Sequence, residues 1–442
     1  MRRLIPTLCL AAAVVISASA QPQDRVAKVR GDKTKVEQFG YWIYNDLPQG
    51  IELAKKSGKP LLVTLRCIPC EQCAQLDEQV IERDPAVRAL MDKFIGVRLI
   101  HANGLDLSLF QYDYDQSWAA FMLNPTDLTI YSRYGTRSHQ RRAEDDVSLE
   151  GFGKALQAAL DLHADYPNIK SALAEKRGPA ADVKTPEEYP TLRGRYKSQL
   201  DYAGQVVQSC IHCHMVSEAQ RRVHRDAGRP IPDKLLYPYP NPKAVGLVLD
   251  PKEKATVKAV TPGSAGEKSG FRPGDELVSL EGQPLLSIAD VQWVLHHVGD
   301  TAALKAEVKR GAEKKSLTLT LEPGWRRKDD IAWRSSTWDL RRMVTGGLLL
   351  EELPAGDRGN AGLAADTLAL RVKHVGQFGA HAAAKNAGFK QGDVVVAVDG
   401  KSDRLTDGEL MAALVQRTKP GDKVAVTVLR DGQRVELKLP MQ

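Results

Sequence analysis

The sequence predicts a multidomain protein with an α/β domain, a mostly helical middle segment and two α+β domains formed by a repeat. Apolar runs typical of strands alternate with amphipathic runs typical of helices as far as residue 165. Helical periodicity interrupted by prolines then continues to Pro242. A glycine-rich motif near residue 270 returns near residue 388, which indicates an internal repeat.

Composition is that of an ordinary globular protein. The chain has 442 residues, of which 43% are hydrophobic and 26% charged, so it has room for three or four domains. The formal charge of +7 is spread along the chain, and basic clusters such as 326–328 are typical of solvated surface. We therefore predict no nucleic-acid partner.

The N-terminus predicts export. Arg2 and Arg3 precede an apolar stretch from Leu8 to Ile16, and Ala18-Ser19-Ala20 forms a cleavage site, as in a secretory signal peptide. That apolar stretch is too short to span a bilayer, and no later run reaches the required length. The sequence thus predicts a periplasmic or extracellular protein without a transmembrane segment.

The predicted boundaries follow these changes in pattern. They are a signal peptide at 1–20, a flexible lead-in at 21–36, the α/β domain at 37–165, the helical segment at 166–238, the first repeat at 239–324, and a linker with the second repeat at 325–442.

A redox dithiol is the first candidate site. Cys67, Cys70 and Cys73 follow the apolar run 60–65 and precede an amphipathic segment. A strand, a turn and a helix in this order place a cysteine at a helix N-terminus, where the dipole and free N–H groups favour the thiolate. Three thiolates at this spacing could instead hold zinc or copper(I), or form a structural disulfide.

This part of the chain resembles the secreted thioredoxin-like domains. The resemblance rests on Lys59-Pro60-Leu61-Leu62-Val63, the Cys-x-x-Cys after six residues, and the later Asp84-Pro85. It implies Cys70 as the nucleophile and Cys73 as the resolving thiol, with Cys67 able to form a competing disulfide with Cys70. Thioredoxins carry a cis-proline facing the dithiol, and Trp118 takes that position here. Substrate binding of the ordinary disulfide-exchange kind is therefore less expected.

A second cysteine motif lies in the middle segment. Cys210, Cys213 and His214 form Cys-x-x-Cys-His, the attachment signature of c-type haem. Two thiols one helical turn apart can bond both vinyl groups, and the adjoining histidine can then reach the iron. A disulfide, a zinc site using His214 or His224, and coincidence are the alternatives, and no sixth haem ligand is evident.

Both repeats resemble PDZ domains of the kind associated with bacterial periplasmic proteases. The resemblance rests on the segments 262–275 and 382–393, each followed by a strand, a turn and a helix. It implies capture of peptide or protein C-termini by strand addition and by backbone N–H groups. The matching loops are predicted at Gly246-Leu247-Val248 and at Gly362-Leu363-Ala364, and one copy could serve for packing alone.

A serine protease is excluded by the residues. The segment Gly359-Asn360-Ala361-Gly362 is similar to the nucleophile loop of such enzymes, but alanine occupies the serine position. No chymotrypsin-like segment with a suitable histidine and aspartate precedes it.

Together these features resemble the thioredoxin-like/PDZ (seleno)protein family. The resemblance favours redox chemistry, because some relatives carry selenocysteine near the dithiol. The leading hypothesis is an exported thiol–disulfide redox or electron-transfer protein with partner-recruiting PDZ domains and a c-type haem site. The alternatives are a non-enzymatic PDZ scaffold on an inert thioredoxin fold and a metal-trafficking protein using Cys67, Cys70 and Cys73.

Overall fold

The computed structural model describes residues 22–66, 68, 84–116, 118–139 and 145–442. The predicted signal peptide therefore lies outside the described residues. So do Cys67, Cys70 and Cys73.

The N-terminal domain is built on one five-stranded sheet. Its strands are β1 (Ile43–Tyr44), β2 (Leu61–Arg66), β3 (Ile95–Leu99), β4 (Trp118–Leu123) and β5 (Ile130–Tyr134). The strand order is β1-β3-β2-β4-β5, with β1 and β2 parallel to β3 and with β4 and β5 antiparallel to their neighbours. All six residues of β2 are buried because both faces of the sheet are covered.

Four described helices belong to this domain: α1 (Pro22–Phe39), α2 (Leu47–Ser57), α3 (Pro85–Met91) and α4 (Leu149–Ala164). Helix α2 is capped at both ends, since the Asp46 carboxylate accepts from the Gln49 N–H and Gly58 ends the helix with φ +70°. Asp84 likewise caps α3, where Pro85 occupies the first turn. The predicted alternation of strands and helices is therefore present.

The predicted flexible lead-in is wrong, because α1 is a packed helix. Val29 and Val36 are buried on one of its faces. On the same helix, Asp32 is 2.6 Å from Arg66 and 3.5 Å from Arg98, measured between carboxylate oxygen and guanidinium nitrogen. A polar composition concealed this helix because its buried contacts include an ion pair as well as apolar side chains.

The middle segment is less helical than predicted. It contains short 3₁₀ turns at Lys170–Lys176 and Pro186–Glu188, then α5 (His214–Arg225) and the single-turn α6 (Asp233–Leu236). Prolines and positive-φ glycines such as Gly194 prevent longer helices between residues 177 and 213. The segment wraps around the N-terminal domain, where Tyr189, Ile211 and Val216 join the apolar core beneath β2 and β3.

The two repeat domains have a similar order of elements, but the second copy has a helix between its first two strands and the first copy has an additional short strand at Gln283–Pro284. The first comprises β6 (Leu247–Leu249), β7 (Val257–Val260), α7 (Ala265–Lys268), β8 (Asp275–Leu280), β9 (Gln283–Pro284), α8 (Ile288–His297), β10 (Ala302–Arg310) and β11 (Glu313–Leu321). The second follows α9 (Thr337–Thr345) and comprises β12 (Leu348–Glu352), α10 (Ala355–Asn360), β13 (Leu370–Val375), α11 (Ala383–Asn386), β14 (Val394–Val398), α12 (Asp407–Arg417), β15 (Lys423–Arg430) and β16 (Gln433–Pro440).

One ion pair marks the equivalence of the two copies. The Arg310 guanidinium binds the buried Asp275 carboxylate at 2.6 Å, and Arg430 binds Asp393 at 2.7 Å. Arg310 also donates to the carbonyl of Gly270, which follows α7, and Arg430 donates to that of Gly388, which follows α11. The repeat predicted from sequence is therefore a repeat of structure.

The first repeat domain is fixed to the N-terminal domain through α8. Asp290 of that helix accepts hydrogen bonds from the Ser132 hydroxyl and the Arg133 N–H of β5, at 2.8 and 3.2 Å. The same carboxylate lies 2.9 Å from the Lys176 ammonium group, and both side chains are only 1% exposed. Helix α8 is therefore buried between the core of its own domain and strand β5.

Candidate functional site

The predicted dithiol directly follows β2, the central strand of the N-terminal sheet. Cys67 comes immediately after Arg66, which is buried and paired with Asp32. Ile68 is also buried, packed against Val29, Ile100 and Val206. Cys67, Cys70 and Cys73 themselves lie outside the described residues, so their predicted roles stay predictions.

Trp118 lies beside the end of β2, as the sequence predicts. It begins β4 and pairs with Arg66, the residue before Cys67. Its indole is buried, with ring centroids 5.4 Å from Phe152 and 6.0 Å from Tyr134 in edge-to-face geometry. The position opposite Arg66 is therefore filled by a large apolar ring held on the helix α4 side of the sheet.

The Cys-x-x-Cys-His segment lies at the same edge of the sheet. The Ala102 N–H, just beyond β3, donates to the Ile211 carbonyl at 2.8 Å. The Ile211 N–H returns a bond of 2.8 Å to the Asn103 side chain, which also donates to the Ser209 carbonyl. Because β2 and β3 are parallel, their carboxyl ends lie at one edge, and this motif is attached there.

Cys210 and Cys213 are free thiols. Burial, together with a smaller effect of the neighbouring Cys213, raises the pKa of Cys210 to about 12. Burial also raises the pKa of Cys213 although this residue is the N-cap of α5, where the helix dipole favours a thiolate. Desolvation outweighs the dipole, so both groups are protonated thiols at neutral pH.

The packing of Cys213 does not favour a covalent haem. Haem attachment needs both thiols and the histidine to face one open space. Cys213 is instead 8% exposed, inside the core cluster that contains Tyr112 and Val216. The haem stays a prediction of the sequence.

His214 has the environment of a basic imidazole. Its Nδ1 lies 2.9 Å from the Glu218 carboxylate, one turn along α5. Burial lowers the pKa of His214, but the carboxylate outweighs burial and the pKa ends above its usual value. Across the described parts of the chain, no three His, Cys, Asp or Glu side chains come close enough to hold a metal ion. The structure thus does not bring His214 and the two cysteines around one metal position.

A cleft of about 660 Å³ opens at the same edge. It lies between α1, the start of α2 and the segment after β3, and its lining includes Lys33, Tyr44, His101, Asn103 and Tyr202. These are mixed polar and aromatic groups next to the point where β2 leads into the dithiol.

His101 in this cleft predicts a pH effect on stability. Burial lowers its pKa to about 4, against 6.5 in the unfolded chain. The folded state therefore binds this proton more weakly, and the stabilisation present above pH 6.5 is lost as the pH falls towards 4. We expect the stability of the wild type relative to His101→Gln to fall by about 2 kcal/mol between pH 7.5 and pH 5, measured by urea unfolding.

The matched control for that experiment is His374→Gln on β13. His374 is exposed, so its replacement should leave the pH dependence of unfolding unchanged. If the free energies of unfolding of the wild type and of His101→Gln changed in parallel across this pH range, the prediction would be contradicted.

The predicted peptide loop of the first repeat has the expected geometry. Gly246 has φ +83° and directly precedes β6. A Cβ at Gly246 would lie 2.1 Å from the Ser264 hydroxyl, so only glycine fits. Strand β6 pairs with β7 along one edge, and no side-chain hydrogen bond from the described residues reaches its Leu247 carbonyl or Leu249 N–H.

The loop predicted at Gly362 and Leu363 is misplaced. These residues follow α10 in the connection between β12 and β13, together with the segment that is similar to a protease loop. The structural equivalent of Gly246 is Gly347, which has φ +88° and directly precedes β12. Gly347 accepts from the Gly376 N–H as Gly246 accepts from that of Thr261. The longer connection at 353–369 led to the wrong position for the second loop. The similarity of Gly347-Leu348-Leu349-Leu350 to Gly246-Leu247-Val248-Leu249 could have identified the correct one.

Comparison with known families identifies the three domains. Residues 42–125 match a family described as thioredoxin-like, and residues 256–321 and 370–441 match two families described as PDZ domain. The chain therefore contains a thioredoxin-like domain followed by two PDZ domains, as the sequence predicted. The thioredoxin-like match includes the positions of Cys67, Cys70 and Cys73.

Two curated proteins are similar to parts of this chain. A probable periplasmic serine endoprotease, DegP-like, from Marinomonas sp. (strain MWYL1) is 25% identical over 45% of this chain and 39% of its own length. A putative serine protease HhoA from Synechocystis sp. (strain ATCC 27184 / PCC 6803 / Kazusa) is 36% identical over 14% of this chain and 16% of its own length. The chain thus spans less than half of either relative.

Several solved structures are also similar to parts of this chain. One is the HtrA3 PDZ domain bound to a phage-derived ligand, with 25% identity over 16% of this chain and 64% of that chain and a TM-score of 0.14. Another is the HtrA-type protease AlgW S227A variant with a decapeptide, with 20% identity over 31% of this chain and 43% of that chain and a TM-score of 0.21.

In the part of the chain that the structure describes, no helix has both the length and the apolar character needed to cross a bilayer.

Proposed function

We propose that this chain is an exported thiol–disulfide redox protein that recruits peptide partners through its first PDZ domain. The observation that carries the proposal is the position of the cysteines, which directly follow the central strand of a thioredoxin-like domain. Export is supported by the signal-peptide pattern and by the similarity to a probable periplasmic protein.

In the proposed reaction, the Cys70 thiolate attacks a disulfide of a substrate protein and forms a mixed disulfide, releasing one substrate thiolate. The Cys73 thiolate then attacks Cys70, which releases the second substrate thiolate and leaves a Cys70–Cys73 disulfide. The substrate disulfide is reduced by two electrons and the dithiol is oxidised by two. Cys67, three residues before Cys70 in the sequence, would compete for it and give a second oxidised form.

Peptide recruitment is proposed for the first PDZ domain. Support comes from the glycine conformation at Gly246 and from the side of β6 that is not paired with β7. A peptide added along this side would bond the backbone of Leu247 and Leu249, and its carboxylate would approach the loop at Gly246. The peptide ligands named for the similar solved structures support the same mode.

A redox titration of the mature protein tests the proposal. We expect one two-electron thiol couple in the wild type. It is measured by equilibrating the protein with glutathione buffers of different potentials and then alkylating the free thiols. Cys70→Ser should abolish this couple. Cys210→Ser is the matched control and should retain it, because the Cys210 thiol is buried and protonated. A wild-type protein without the couple would leave the scaffold hypothesis in its place.

The haem prediction has its own test. Protein produced in a host that attaches c-type haem is examined for a covalent Soret band that disappears in Cys210→Ala. Such a band would establish an electron-transfer cofactor and would require Cys213 to leave its core position. Elemental analysis of the same preparation tests the metal-trafficking alternative.

A further inference from the structure

The two PDZ domains differ at the edge where a peptide would bind. In each domain, successive residues of the strand after the loop glycine point their backbone groups in opposite directions. The N–H and C=O groups of one residue face the paired strand, and those of the next residue face away from it. Gly347 and Leu349 face β13, because the Gly376 N–H bonds Gly347 and the ladder continues from there. Leu348 and Leu350 therefore direct their N–H and C=O groups to the side that a peptide strand would use.

In the second domain, side chains of the same chain occupy this edge. The Leu348 carbonyl accepts from the Arg341 guanidinium at 3.3 Å and from the Thr345 hydroxyl at 3.2 Å. Burial raises the pKa of Asp407, and the Arg341 guanidinium and the Leu350 N–H beside the carboxylate oppose that rise. The donor that an added peptide strand would supply to Leu348 is thus already present, and a carboxylate faces the next N–H along this edge.

These side chains come from two helices, the one before β12 and the one that borders the groove opposite β12. Arg341 and Thr345 belong to α9, and Asp407 is the first residue of α12. Arg341 forms two bonds with Asp407, one of them 2.8 Å long, which bridge the groove from helix to helix. Arg341 and Asp407 are 2% and 9% exposed, so the bridge is buried.

The loop glycine is also engaged by α9. The Gly347 N–H donates to the Arg341 carbonyl at 3.0 Å, as the Gly246 N–H of the first copy donates to the Lys243 carbonyl at 2.9 Å, so this contact is common to both copies. Apolar residues of α9 (Leu340, Met343 and Val344) are buried in the core that contains Met411 and Leu414 of α12. The end of α9 therefore occupies the groove through backbone, polar and apolar contacts together.

The first domain lacks the two bridging residues. Pro240 and Ile288 stand at the positions that correspond to Arg341 and Asp407. Proline has no side-chain donor, and isoleucine cannot accept a hydrogen bond. In the first copy the preceding segment contacts α8 differently, since the Tyr239 carbonyl accepts from Gln292 and the Tyr239 N–H donates to His296. The difference between the copies is therefore the buried Arg341–Asp407 pair.

We propose that the C-terminal part of α9 is the resident ligand of the second PDZ groove, so that the two copies divide their roles. The first copy takes external peptides, which rests on the proposed function, and the second holds a segment of its own chain. A peptide with a free C-terminal carboxylate can enter the second groove only when Arg341 and Asp407 no longer bridge it.

Photo-crosslinking tests this division on the full mature chain. The probe is a pentapeptide that ends in valine and carries a benzophenone group, and its C-terminal amide is the control. Wild-type protein should be labelled at β6 and not at β12. The double variant Arg341→Met/Asp407→Ile, which places the first copy's isoleucine in the second groove, should gain labelling at residues 348–352 by at least tenfold. The amide control should label neither site.

The outcomes separate the two proposals. Labelling of β12 in the wild type, or no gain in a folded double variant, overturns the resident-ligand proposal. If β6 is not labelled, peptide binding by the first copy is overturned. The resident-ligand proposal is still tested by comparing the labelling of β12 in the wild type and in the double variant.

A second measurement covers the case in which the double variant does not fold. Amide hydrogen exchange in the wild type should protect the Leu350 N–H as strongly as that of Leu349, which faces β13. Exchange of Leu350 at the rate of an unpaired strand edge would contradict the occupied groove.

Discussion

Asp290→Ala is expected to destabilise the protein by about 3–5 kcal/mol, because it leaves the Lys176 ammonium group buried without its carboxylate. Burial already lowers the pKa of Lys176, which shows how costly its charge is in this position. The variant also loses the acceptor for the Ser132 hydroxyl and the Arg133 and Leu286 N–H groups. Urea unfolding should show the first PDZ domain separating from the thioredoxin-like domain before either unfolds.

The control is a second ion pair across the same interface. Lys154 of α4 lies 2.5 Å from Glu253 of the first PDZ domain, but the two side chains are 44% and 41% exposed. Lys154→Ala should change stability by less than about 1 kcal/mol, since water screens this pair. Equal effects of the two variants would mean that the Asp290 contact does not hold the domains together.

Arg334→Met is expected to have an effect of similar size, about 3–5 kcal/mol, with a distinctive pH dependence. The Arg334 guanidinium lies 2.5 Å from Asp113 and 3.4 Å from Asp329, and also donates to the Pro238 carbonyl. It therefore ties the linker between the PDZ domains to the thioredoxin-like domain. Without it, two buried carboxylates lose their counter-charge.

The sign of the pH dependence follows from those carboxylates. Burial raises the pKa of Asp113 to about 6 and that of Asp329 to about 7 even with Arg334 present. Removing the arginine raises both further, so the folded variant binds protons more tightly than the unfolded chain. The deficit of Arg334→Met relative to wild type should grow as the pH rises from 5 to 8. Arg327→Met is the control, because Arg327 is 63% exposed beside Asp233 and should show little effect at any pH.

Local patterns predicted much of the fold. The caps at Asp46 and Asp84, the apolar run of β2 and the two Gly-Asp turns each specify their element through short-range chemistry, and all of them are present. Helix α1 was missed because its stability depends on Asp32 meeting Arg66 and Arg98, which are distant in sequence. The middle segment was predicted as more helical because its packing on the core was not visible in the periodicity.

The sites were predictable in part. Spacing alone identified Cys210, Cys213 and His214, but it could not show that Cys213 enters the core beside Tyr112. Gly246 was found because the glycine pattern around it is compact, whereas the insertion at 353–369 concealed Gly347. Arg341 and Asp407 could not be found from sequence, because their meaning depends on which side of β12 they face.

The contact between α8 and β5 also concerns association between molecules. β5 is an outer strand of its sheet, and such strands offer unpaired backbone groups on which other chains can assemble. Here the Arg133 N–H is taken by Asp290 and the Arg133 carbonyl by the Ser287 hydroxyl, at 3.2 and 2.5 Å. The first PDZ domain thereby acts as a cover for this strand, and a thioredoxin-like fragment cut from it would expose a surface prone to aggregation.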